Sequence, residues 1–456
     1  MMNRVDFKLE DCLSKMSAME TWDFYGKVTR VVGLIVEARL PDASLGGLCS
    51  IYASHEVSPV FAEVVGFKEE SVLLMPLGDI RGVRPGSRVK IEETQAHVPV
   101  GDELLGRVLD GMGRPIDGKG AMNTGGGKNH LYKDPPDPVS RRLITEPLDM
   151  GVKSINTFTS CGEGQRMSII AGSGVGKSVL LSMMARNTNA DINVIALIGE
   201  RGREVREFID KNLGEEGLKN SVLVVVTSDQ SPLLRMRGAF VATAIAEYFR
   251  DCGHKVLFMM DSVTRFAMAQ REIGLAVGEP PTTKGYTPSV FNQLPKLLER
   301  AGKTSGQGSI TGIYTVLVDQ DDINDPVGDA VRSIVDGHIM LSRELSSKNH
   351  YPAVDVLGSV SRVMNEIVDD KKKEVASYAR DMFATYSEAE DLINIGAYVE
   401  GSNKKIDESL EIIEELNSFL KQDMHEKVTF EESWNRIFNI VNKVRKSQSG
   451  DRNEKS

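Results

Sequence analysis

The chain has 456 residues, too many for one compact core, so two or three domains are expected. Hydrophobic residues make up 41% and charged residues 26%, ordinary values for a soluble globular protein. With 55 Lys and Arg against 65 Asp and Glu the net charge is −10, which is not the footprint of a nucleic-acid coat or a membrane-surface protein. Cys12, Cys49, Cys161 and Cys252 lie far apart with no CxxC pair and read as reduced cytosolic thiols. The histidines are equally scattered, so no structural metal is expected.

In chain order, MMNRVDFKLEDC carries acids where a signal peptide needs an apolar core, and residues 1–25 read as a short helical or loose arm. No apolar run approaches a membrane span; VVGLIVEARL breaks at Glu37, and a cytoplasmic protein is expected. Over residues 26–93, short β-rich runs (VTRVVGLIVEA, LCSIYA, SVLLMPL, SRVKIEE) alternate with Gly, Pro and Asp turns. Strands that short need closure or cover, and the pattern predicts a small β-barrel. Gly and Pro punctuate residues 94–140 too densely for long elements, so this stretch reads as a connection. Beyond it, to about residue 365, the apolar runs MSIIA, NVIALIG, SVLVVVT, KVLFMMD, SITGIYTVLV and HIMLS alternate with helical text. That predicts an α/β domain with a parallel sheet buried on both faces. Over 366–446 Glu, Lys, Leu and Ile recur at helical spacing, and the polar residues 447–456 are expected to fray.

The α/β region carries a phosphate-binding pattern. Strand MSIIA feeds AGSGVGKS, and helix KSVLLSMMARN follows. Gly172, Ser173, Gly174, Val175 and Gly176 would let backbone N–H groups converge on phosphate oxygens at a helix N-terminus, with Val179 in the first turn. Lys177 would reach the β- and γ-phosphates, and Ser178 would ligate magnesium, so ATP and Mg²⁺ are the expected cofactors. The strict pattern wants Gly at the first position, where this chain has Ala171; a small residue should suffice at a strand end. Next, KVLFMMDS closes an apolar strand with Asp261, a weak signal alone but a good magnesium-side carboxylate downstream of such a loop. In LIGERGREVREF, Glu200 ends another apolar strand. It reads equally as a water-polarising carboxylate or as the start of a solvated charged turn.

Together these stretches, with DSVTRFAMAQREI and GEPPTTKGYTPSVFNQLPKLLERAG, resemble the ATPases of type III protein export, which are similar to the catalytic subunits of rotary ATP synthases. The resemblance runs from about Tyr25 to about Trp434 and implies an N-terminal β-barrel, a central RecA-like P-loop ATPase domain and a C-terminal helical domain. It implies that Glu200 is the catalytic glutamate, that Arg201 belongs to the same motif, and that Tyr351 in HYPAVDV stacks on adenine. It also implies that Arg362 in GSVSRVM reaches the neighbouring subunit's site, although its own spacing fits a surface ion pair. Both halves of such a site in one chain imply a homo-oligomeric ring, expected to be a hexamer. The implied partners are a stator-like regulator on the N-terminal arm, a central stalk protein at the pore, export chaperone–substrate complexes at the C-terminal helices, and the export gate. Membrane association would be peripheral, at the cytoplasmic face of the inner membrane. In the pore-loop text, Lys284 and Thr287 stand where the family often has Arg and Pro, VLVDQDD departs from the commoner wording, and Asn365 stands where Pro is frequent. The C-terminal text INIGAYVEGSNKKIDESLEIIEELNSFLKQ lacks the long acidic lever of rotary β subunits, which favours export over ATP synthesis, and the wording of AGSGVGKS and VTSDQSPLLRMRGAF favours a flagellar export ATPase. The alternatives are an injectisome ATPase, a rotary catalytic subunit, and a non-catalytic nucleotide-binding subunit that only scaffolds a ring, against which the presence of Glu200 counts. A nucleic-acid motor is disfavoured, because the barrel region lacks a basic groove with interleaved aromatics.

Overall fold

The structure is a computed structural model that describes residues 24–53, 58–318 and 325–454, with side chains up to Val444. The expected N-terminal arm therefore lies outside the described residues except for its last two, as does most of VLVDQDD. The chain divides into two compact units, 1–96 and 97–456.

In the first unit β1 (Tyr25–Val32), β2 (Ile35–Arg39), β3 (Leu48–Tyr52), β4 (Val60–Lys68), β5 (Ser71–Pro76) and β6 (Arg88–Glu93) close into a barrel in the order β1-β2-β5-β4-β3-β6. Every pairing is antiparallel. A tight turn at Gly33, with φ +57°, joins β1 to β2. Val28, Val36, Ala38, Cys49, Ile51, Ala62, Val64, Leu74 and Val89 fill the interior. Closure leaves no strand edge open, as strands of this length require.

The second unit begins with the text read as a connection. β7 (His97–Pro99) pairs with β9 (Lys128–His130), and between them β8 (Val108–Leu109) joins the edge of the large sheet beside β14 (Ser221–Thr227). Two carboxylates organise this Gly-rich stretch. Asp110 Oδ1 accepts from the N–H groups of Met112 and Arg114, each at 2.8 Å. Asp117 accepts from Arg107 at 2.7 and 2.9 Å, and that pairing holds its carboxyl well below the usual range. β10 (Pro147–Leu148) and β11 (Cys161–Gly162) form a further small ladder.

The large sheet runs β19-β18-β12-β17-β15-β13-β14-β8. Its strands are β12 (Arg166–Ala171), β13 (Ile192–Glu200), β14 (Ser221–Thr227), β15 (Lys255–Asp261), β17 (Ser309–Leu317), β18 (Gly337–Leu341) and β19 (Val354–Ser361), with β16 (Gly302–Lys303) paired to β17. The six apolar runs in the sequence are β12, β13, β14, β15, β17 and β18, which are mutually parallel. The sheet is not wholly parallel, however: β19 runs antiparallel to β18. The short link 342–353 holds only a helix at Arg343–Ser347 and cannot make a parallel crossover. Carboxyl ends of the parallel strands share one edge, where ligands of such sheets bind.

Helices flank the sheet with their starts marked by sequence. Ser231 and Ser262 accept from the N–H groups of Leu234 and Arg265, and Asp325 from that of Gly328. Three long helices, Asp370–Asn394, Lys404–Leu420 and Phe430–Glu454, follow the last strand. Their apolar faces gather on Ile412, Leu416, Trp434, Ile437 and Val441 and continue into the core under the sheet through Phe383 and Phe158. The last helix extends to Glu454, through most of the stretch expected to fray. Packing around Trp434 supplies the nucleus, and adding residues to a nucleated helix requires only one more backbone bond each.

Candidate active site

The stretch Ala171–Ser178 turns from β12 into the helix Lys177–Asn187. Gly174 and Gly176 have φ of +82° and +90°, which a side chain would strain, so these two glycines are required by the backbone. Val175 is buried in the core and pins the loop from below, while Ser173 and Ser178 face solvent and Val179 packs partly into the core. Ala171 is the last residue of β12, buried and paired with Leu317, so its methyl group is accommodated.

Three charged groups meet above this loop. Lys177 Nζ lies 2.5 Å from Asp261 Oδ1 and 3.5 Å from Glu200 Oε1. Asp261 ends β15, and Glu200 ends β13 beside it. A register shift between Ile198 and Glu200 re-aims the end of β13. Gly199 makes that possible: its φ is +73°, and a Cβ there would sit 2.8 Å from Arg265 Cβ. Glu200 Oε1 is buried and accepts no hydrogen bond among the described residues. Burial, and then the charge of Asp261, push the Glu200 pKa up to about 7, against the pull of Lys177. Asp261 Oδ1 also accepts from Thr315 Oγ1 at 2.7 Å, from near the carboxyl end of β17. Thr315 was not singled out in the sequence; period-2 counting along β17 gives its face, but its partner depends on the β15–β17 register.

Tyr351 also lies against the loop, at Gly176. A Cβ placed on Gly176 would lie 3.5 Å from two of its ring carbons. The ring is half exposed, and its hydroxyl is 2.8 Å from Ser346 Oγ. Tyr351 therefore presents an open aromatic face next to the phosphate loop.

Arg201 and Arg362 do not join this cluster. Arg201 is the residue before helix Gly202–Glu207, is 80% exposed and pairs with Glu204 at 3.3 Å. Arg362 follows β19 and is exposed; it donates to the backbone oxygen of Arg332 at 3.4 Å, and its N–H bonds Asp336 O. Register sets its level: Ser361 pairs with Gly337, and His338 pairs with Ser168 at the start of β12. Arg362 thus lies at the amino edge of β12, on the order of 15 Å along the strands from its own phosphate loop at about 3.3 Å per residue.

A phosphate loop at the end of a parallel strand, with acidic side chains closing the two neighbouring strands, defines the P-loop nucleoside-triphosphatase class. Residues 28–92 match the ATP synthase alpha/beta family beta-barrel domain, 151–361 the nucleotide-binding domain of the same family, and 368–439 the T3SS EscN ATPase C-terminal domain. The chain is 52% identical over 427 residues to the flagellum-specific ATP synthase of Bacillus subtilis, covering 93% of this chain and 97% of that one. It is 49% identical over 407 residues to a type 3 secretion system ATPase of Xanthomonas euvesicatoria, covering 89% and 92%. Its fold is similar to that of the assembled ATPase EscN of enteropathogenic E. coli, solved in complex with its central stalk EscO. There the TM-score is 0.85 at 45% identity, covering 91% of this chain and 100% of that one. The chain belongs to the ATP synthase alpha/beta family, alongside the flagellar and type III secretion ATPases.

Proposed function

We propose that this ATPase serves a flagellar type III export apparatus, hydrolysing Mg-ATP as a ring of identical subunits. The observation that carries the chemistry is the placement of Lys177, Glu200 and Asp261 together over the phosphate loop. Backbone N–H groups of 172–176 and the helix start would hold the phosphates, with Lys177 bringing positive charge to them. Glu200 would polarise the attacking water, and its raised pKa makes it a stronger base than an ordinary carboxylate. Tyr351 would stack on adenine.

The oxygen donors of Ser178 and Asp261 suit magnesium, a hard cation, and the cluster already draws one positive group, Lys177, against two carboxylates. When bound, magnesium would neutralise phosphate charge; Ser178 and Asp261 would hold it.

Arg362 sits at the wrong edge of the sheet to serve its own phosphate loop, which favours action on a neighbouring subunit. A guanidinium there would stabilise the charge on the γ-oxygens of the adjacent site, and Arg201 would order the Glu200 turn. An assembled relative with a central stalk supports a ring, which we take to be a hexamer, and a stalk partner here. Functional segments are assigned as barrel 26–93, ATPase 94–365 and C-terminal helices 366–446. The arm would take a stator-like regulator, the C-terminal helices chaperone–substrate complexes, and the ring would stand below the export gate at the cytoplasmic face of the membrane. Among the described residues, no helix is long and apolar enough to cross a membrane.

Phosphate release by the purified chain should require magnesium and rise steeply with chain concentration as rings form. Affinity capture from flagellated cells should recover flagellar export components; recovery of an injectisome instead would overturn the flagellar assignment.

A further inference from the structure

In the link 421–426, between the last two helices, one residue touches both the backbone of Tyr351 and the segment that packs on the phosphate-loop helix. Gln422 is buried. Its backbone N–H donates to Tyr351 O at 2.9 Å. Its side-chain Oε1 accepts from Lys153 N at 2.8 Å, and its Nε2 donates to Gly151 O at 2.9 Å and to Glu426 O at 3.0 Å. Both amide hydrogens are thereby used. Gly151 in turn lies against the far end of the phosphate-loop helix, since a Cβ there would sit 2.1 Å from Asn187 Cβ. Arg186, one residue earlier in that helix, donates to Met424 O in the same link. Lys153 Nζ closes the arrangement, donating to Lys421 O at 2.8 Å and meeting Glu426 at 3.3 Å.

We infer that Gln422 is a positioning residue for nucleotide binding, fixing the spacing between the Tyr351 ring and the phosphate loop and making that spacing answer to the C-terminal helices. The physical reason is geometric. The Tyr351 backbone is tied to Gln422, and the Gln422 amide is tied to the segment that packs on the phosphate-loop helix. A displacement of the C-terminal helices therefore moves one wall relative to the other, whatever exerts the force. Gln422 acts through Tyr351 and touches no phosphate, so it should govern affinity for the base end of ATP and not the hydrolytic step. The inference rests on the reading of Tyr351 as the base-stacking residue.

The test compares Gln422→Ala and the volume-filling Gln422→Met with the parent in the full-length chain. Expected in both is a rise in KM for ATP of about tenfold, equivalent to about 1.4 kcal/mol, with kcat within about twofold. The inhibition constant of inorganic tripolyphosphate, which has no base to stack, should stay unchanged. Adding either substitution to Tyr351→Ala should raise KM no further. Equal losses in kcat, weaker tripolyphosphate binding, failure of both variants to fold, or full additivity with Tyr351→Ala would mark Gln422 as a general structural residue and overturn the inference. If Tyr351→Ala raises KM and the Gln422 variants do not, the inference alone fails. If Tyr351→Ala leaves KM unchanged, the base-stacking reading fails and the inference fails with it.

Discussion

Glu200→Gln should disable the protein and also stabilise it, by an amount that grows as pH rises from 4.5 to about 7. Burial and the neighbouring Asp261 move the Glu200 pKa from an ordinary 4.5 to about 7 in the folded chain. Below pH 4.5 the carboxyl is protonated in folded and unfolded chains alike, and no penalty exists. Between pH 4.5 and 7 the unfolded chain has released the proton that the folded chain still holds, so stability falls as pH rises. Above pH 7 the full penalty applies, at about 1.4 kcal/mol per pH unit a ceiling of roughly 3 kcal/mol. Glutamine has the same shape and never ionises. Urea unfolding of the nucleotide- and magnesium-free protein, at pH 5 and pH 8, should therefore show the variant gaining about 2 kcal/mol more at pH 8 than at pH 5. Hydrolysis by the same variant should fall by about 10²–10⁴-fold if the carboxylate polarises water. An equal gain at both pH values would refute the buried-charge reasoning.

Other substitutions probe neighbouring parts of the structure. Thr315→Val removes the hydroxyl that bonds Asp261 and should raise the magnesium concentration for half-maximal activity about tenfold, measured by metal titration at saturating ATP. Lys177→Ala removes the only cation paired with Glu200 among the described residues; ATP binding, followed with a fluorescent analogue, should be lost, and the Glu200 pKa should rise further. Arg300→Met strands Glu247, which is 2% exposed and receives two bonds from Arg300 at 2.8 and 2.6 Å; it should cost about 3–5 kcal/mol in urea unfolding.

Much of this structure could be read from residue order because local rules and tertiary context agree there. MSIIA followed by AGSGVGKS needs only chain-local geometry: an apolar strand, two left-handed glycines and a helix start. The barrel follows from short runs that must hide their edges. Glu200 was ambiguous by itself, because a strand-ending acid at a charged turn has two readings. Its burial, the shift at Gly199 and the proximity of Lys177 emerge only when β13 and β15 lie side by side. β19 has no clear sequence signature because Gly358, Ser359 and Ser361 break its apolar pattern, and its place as the antiparallel edge depends on β18. Thr315 and Gln422 carry no local signature; each acts through partners far away in the chain.

Mixing two inactive variants asks whether Glu200 of one subunit works with Arg362 of the next. Chains with Glu200→Gln and chains with Arg362→Ala, each inactive alone, should assemble into mixed rings in which about a quarter of the interfaces join an intact glutamate to an intact arginine. Hydrolysis should return on mixing, to about a quarter of the parent rate at equal proportions. Mixed rings that form and remain inactive would contradict this pairing, as would normal turnover by Arg362→Ala alone.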